Sequence, residues 1–84
     1  MATKIEALAA RDKFKEEFWT KDPENYNLIM ISGSFVYDEE TDDLISEDYN
    51  VLAYMFDLKD VENMPKTIDD VKIEYLPVIS DAPV

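Results

Sequence analysis

LISEDYNVLAYMFDL, residues 44–58, is the stretch whose reading decides the fold. Its centre, Val51-Leu52-Ala53-Tyr54-Met55-Phe56, is an unbroken apolar run of the kind that fills a central strand covered on both faces. A helix is the competitor, because Ser46-Glu47-Asp48 has the chemistry of an N-cap. The flanking sequence decides for the strand. DEETDD, residues 38–43, is a ready hairpin connection, and on its far side stands a second run of strand character. That run goes from Asn27-Leu28-Ile29-Met30-Ile31 through Ser32-Gly33-Ser34 to Phe35-Val36-Tyr37. It is rich in β-branched and aromatic residues and has no helical spacing. Gly33 is the chain's single glycine, and in mid-strand it predicts a bulge or a close approach by a helix.

Upstream of the hairpin, Thr3-Lys4-Ile5-Glu6 fits a capping box. The spacing of Ala7, Ala10, Phe14 and Phe18, with Leu8 and Trp19 beside them, predicts a helix over 4–20, stopped by Asp22-Pro23. Phe18-Trp19 reads as a core anchor. Downstream, residues 59–70 are polar, carry Pro65 and read as a loop with one helical turn. Val71-Lys72-Ile73-Glu74-Tyr75 alternates as a half-buried strand does, and Pro77 predicts an edge or a terminus. The expectation is α+β: one N-terminal helix packed on a three- to four-stranded antiparallel sheet. Residues 1–84 form a single domain with a flexible tail from about residue 79.

Composition removes several classes of function. No His and no Cys means no zinc finger, no disulfide, no thiol nucleophile and no histidine base. One glycine does not build a phosphate-cradling loop. The adjacent carboxylates Asp42-Asp43 and Asp69-Asp70 read as solvated pairs rather than a magnesium or hydrolase site. Asp38, Glu40 and Asp42 alternate as calcium ligands do, yet no glycine follows and the flanks read as strands. The expectation is a protein with no enzymatic activity, no bound metal and no cofactor. The start of the chain lacks the basic-then-apolar order of a signal peptide, which predicts a cytoplasmic protein.

Charge is the strongest signal. The net charge is −12, and it is unevenly placed. Residues 1–37 hold five basic side chains against six carboxylates, a net −1; residues 38–84 hold three against fourteen, a net −11. Such a surface repels nucleic acid and anionic membrane and complements a basic protein. Along one face of a strand, side chains repeat about every 6.6 Å, near the spacing of phosphates on an extended nucleic-acid backbone. Carboxylates at that pitch would fit a groove that normally neutralises phosphates with Lys and Arg. The residues expected to meet the partner are Asp38, Glu39, Glu40, Asp42, Asp43, Glu47, Asp48, Asp57, Asp60 and Glu62. Apolar neighbours would supply the anchor that affinity requires.

Tyr37-Asp38-Glu39-Glu40-Thr41-Asp42, with the size and charge of the chain, resembles the acidic hairpin of phage inhibitors of uracil-DNA glycosylase. The Glu-Ser-Ile segment with which those inhibitors contact their enzyme has no counterpart here. The resemblance therefore implies a class: a phage-encoded inhibitor acting in the host cytoplasm by DNA mimicry, as anti-restriction and anti-CRISPR proteins do. Its partner would be a basic nucleic-acid-binding protein. Two other readings share the composition. One is an immunity protein or antitoxin for a basic toxin; the other is a structural or assembly subunit, monomeric or homodimeric, whose acidity only maintains solubility.

Overall fold

A computed structural model describes residues 2–78. The tail expected from about residue 79 lies outside them. Helix α1 (Lys4–Phe14) opens with the expected capping box: the Glu6 amide donates to Thr3 Oγ1 at 3.2 Å, and the Thr3 amide donates to Glu6 Oε1 at 3.1 Å. The Thr3 bonds hold the Glu6 carboxyl below its ordinary pKa. Ala7, Ala10 and Phe14 form the buried stripe that the spacing predicts. From Lys15 to Trp19 the helix widens to π geometry, with the Thr20 amide donating to the Lys15 carbonyl. In an α-helix, five residues carry Trp19 about 140° round from Phe14. The wider turn swings it back toward the core, where it stacks on Tyr26 with ring centroids 5.7 Å apart.

Strands β1 (Tyr26–Tyr37) and β2 (Leu44–Met55) form the predicted hairpin around residues 38–43. Residues 44–55 are a strand, not a helix, and burial at Val51, Ala53 and Met55 has the strand period of two. Two expectations about this pair need correction. The apolar run of β2 is covered fully on one face only: Leu52 and Tyr54, on the other face, stay half-buried. Gly33 marks no bulge and no helix approach either. The register irregularities of β1 lie at its two ends, and a Cβ on Gly33 would meet the rings of Phe35 and Tyr49, both 3.0 Å away. The glycine makes room for those rings on the strand face.

The larger correction is the sheet itself, which is mixed rather than antiparallel. With β3 at Thr67–Ile68 and β4 at Val71–Pro77, the strand order is β1-β2-β4-β3; β4 runs parallel to β2 and pairs Val51 with Ile73 through Met55 with Pro77. A parallel neighbour needs a crossover, and residues 56–70 supply it. They include a 3₁₀ turn (Val61–Asn63) and end in the two-residue strand β3 (Thr67–Ile68), antiparallel to β4. The β3–β4 turn is Asp69-Asp70, both at positive φ (49° and 67°), as a two-residue hairpin of the primed type requires. The result is an α+β fold with α1 and its π extension on one face of a four-stranded sheet.

Phe14 is the centre of the core. It is fully buried, with the rings of Phe18, Tyr26 and Tyr75 at 4.8, 5.8 and 6.0 Å. Val51, Ala53, Val71 and Ile73 close the layer from the sheet side. This core occupies one end of the long hairpin. β4 meets β2 only over residues 51–55, so the far half of β1 and β2 stands out as an arm. The radius of gyration, 15.1 Å, exceeds the roughly 12 Å of a compact chain of this length.

Candidate acidic docking surface

The arm is where the first group of predicted carboxylates lies. Residues 38–43 close it as a tight turn: the Asp38 amide donates to the Asp43 carbonyl at 2.8 Å, and the Asp42 amide to the Asp38 carbonyl at 2.9 Å. Asp38 Oδ1 accepts the amides of Glu40 and Thr41, at 2.8 and 3.1 Å. Those two bonds, Glu40 first, hold its carboxyl below the usual carboxylate value. Asp42 sits at φ 61°, a left-handed conformation that Asp tolerates better than most residues. The backbone here is curled, not extended. The phosphate-like pitch expected of Asp38, Glu40 and Asp42 is therefore not formed, and Asp38 serves as the clasp of the turn. Glu39, Glu40, Asp42 and Asp43 point charge into solvent around it.

Below the turn the arm is apolar. Phe35, Val36, Tyr37, Leu44 and Ile45 are 46, 53, 53, 49 and 63% exposed. Phe35 packs edge-on against Tyr49 at 5.6 Å, and Glu47 faces Phe35 across the hairpin. Asp48 has a structural task. Its Oδ1 accepts the Ala2 amide at 2.8 Å while the Tyr49 amide donates to the Ala2 carbonyl at 3.0 Å, which fastens the chain preceding α1 to the edge of β2.

The remaining predicted residues lie at the opposite end of β2. Twelve residues of strand separate them from the turn, a span of about 40 Å. Asp57 is tied to Asn25 by two backbone-to-amide bonds of 2.7 and 2.9 Å, and its own carboxylate accepts the Lys59 amide at 2.9 Å. With Asp22, Glu24 and Asp60 it borders a shallow acidic depression. Glu62 instead lines a mostly apolar cleft of about 460 Å³ beside Val61, Ile73 and Tyr75, which the sequence reading missed. Alternation in β4 was the signal that one of its faces needed cover there, but the crossover path set the cleft. The ten residues thus form two acidic ends and not one surface.

Both ends are electrostatically unspent. Ion pairs among the described residues join Arg11 to Asp12, Lys13 to Asp69 and Lys72 to Glu74, and none involves the ten. No group of three or more Asp or Glu side chains among the described residues converges as metal ligands would. Nor is any helix there long and apolar enough to cross a membrane. No family model, curated protein or solved structure matches the chain.

Proposed function

We propose that this is a non-catalytic protein inhibitor that enters the basic groove of a nucleic-acid-binding protein and excludes its substrate. One observation carries the reading: an unpaired acidic turn stands at the tip of a projecting arm whose shaft is exposed apolar surface. Charge at the tip steers the approach, and Phe35, Tyr37, Leu44 and Ile45 supply area for desolvation on arrival. The phage class named by the resemblance, acting in the host cytoplasm, fits this division of labour. Mimicry here means replacing phosphate charge at the groove mouth, since the turn does not reproduce phosphate spacing.

The test is affinity capture from a bacterial lysate followed by a competition assay between this protein and DNA or RNA for the captured partner. Mutual exclusion and a steep fall of affinity with salt are expected. Glu39→Gln, Glu40→Gln, Asp42→Asn and Asp43→Asn together, leaving the Asp38 clasp intact, should weaken binding by about 1–4 kcal/mol, mainly through slower association. Simultaneous binding of nucleic acid, or indifference to the quadruple variant, refutes mimicry. A captured toxin with no nucleic-acid competition would instead identify an immunity protein.

A further inference from the structure

β1 is an edge strand whose central residues, 28–36, lack the usual protection. Among the described residues it pairs only with β2, so half of its backbone N–H and C=O groups face outward. Natural edges are blunted by charged side chains, proline, bulges or shortness. β1 is twelve residues long and contains no proline. In a chain that is 33% charged it has no charged residue. Its register irregularities sit only at Tyr26/Leu28 and Val36/Tyr37, leaving 28–36 regular. Leu28, Met30, Phe35 and Val36 are between 38 and 53% exposed along it. On the sheet face, Leu28 and Met30 also border a depression of about 310 Å³ that runs inward over Tyr54 to Pro77 and Val78.

Both ends of this neutral edge are acidic. Beyond Tyr37 lie Asp38, Glu39 and Glu40; around Tyr26 lie Asp22, Glu24, Asp57 and Asp60, with Lys21 and Lys59 as the only basic neighbours in sequence. We infer that the β1 edge, residues 28–36, is a strand-addition site for an extended partner segment with an apolar centre and Lys or Arg at both ends. Charge argues against a second copy of this chain. A two-fold antiparallel pairing of Tyr26 with Tyr37 would set Asp38 opposite Asn25 and Glu39 opposite Glu24 between two molecules of net charge −12. The inference stands whether or not the partner handles nucleic acid.

The probe is a capped synthetic peptide of alternating Val and Thr with two Lys at each end, titrated into the isotopically labelled full chain and followed by NMR. Amide shifts and slowed hydrogen exchange are expected at residues 28–36. The same peptide with Glu at its ends, and a Lys-ended peptide N-methylated at alternate residues, should each bind roughly tenfold or more weakly. Perturbation confined to residues 38–43 would overturn strand addition. Equal binding of the Glu-ended peptide would overturn the charge argument. Sedimentation of the chain alone as a dimer, with 28–36 already protected, would assign the edge to a second copy and refute the proposal. None of these outcomes depends on nucleic-acid competition, so failure here is distinct from failure of mimicry.

Discussion

Phe14 and Phe35 provide a sharp comparison, because one side chain type occupies opposite ends of the molecule. Phe14 has no exposed surface and three aromatic neighbours, whereas Phe35 is 46% exposed on the arm. Phe14→Leu removes three carbons from a closed site at about 0.8 kcal/mol each. The cavity left behind raises the total to about 3–4 kcal/mol. A domain of this size carries in all about 4–13 kcal/mol, so the loss is a large share of the total. Phe35→Leu loses part of its ring contacts with Tyr49 and Tyr37 on the exposed arm, at a cost of about 0.5–1 kcal/mol. Urea unfolding read by circular dichroism and by the fluorescence of Trp19, which is stacked on Tyr26, measures both. With a slope near 1 kcal/mol per M, the Phe14 variant should lose about 2 M or more in midpoint. Equal losses for the two variants would refute the placement of the core at the helix end.

Three further outcomes follow from the same geometry. Asp48→Ala should cost about 1.5 kcal/mol and leave the Ala2 amide free, read as faster hydrogen exchange at Ala2 and Tyr49. Tyr26 is pushed up to about 12 by burial and then by Asp22, and Tyr75 to about 12 by burial and then by Tyr26. In the unfolded chain these two lose their protons near pH 10, while in the folded chain both keep them to higher pH, so stability should fall between about pH 10 and 12. Tyr75→Phe should flatten that fall in an alkaline unfolding titration. Asp38, with its lowered pKa, contributes stability that is present above about pH 3.8 and lost as pH drops through its folded value. Asp38→Asn should therefore flatten the acid limb of stability against pH.

What was legible in the sequence was what is local. The capping box, the Ala7-Ala10-Phe14 stripe and the acidic hairpin turn each depend on residues within one or two turns of chain, and each formed where expected. The direction of β4 was not legible, because the alternation of Val71, Ile73 and Tyr75 is the same in either direction. Only the route of residues 56–70 distinguishes parallel from antiparallel. Residues 59–70 read only as a loop, and the turn at Asp69-Asp70 was not legible, because Asp-Asp lacks the glycine of common hairpin turns although Asp accepts positive φ. At the candidate site, sequence gave the charge but not its duties. Asp38 and Asp48 look like their acidic neighbours in the chain, yet one is the clasp of a turn and the other holds Ala2.

The parallel register of β4 also bears on biosynthesis. The β1–β2 hairpin closes across a short turn and can zip as soon as residue 55 is free. Its second edge, Val51 to Met55, then waits for residues 73–77, which come more than fifteen residues later in translation. During that interval the nascent chain carries two open strand edges around its most apolar segment, the condition that invites aggregation. Carboxylates flank that segment on both sides, Asp42, Asp43, Glu47 and Asp48 before it and Asp57 after it, the pattern that disfavours such association. Mutual repulsion of such carboxylates keeps half-made sheets on one polysome apart.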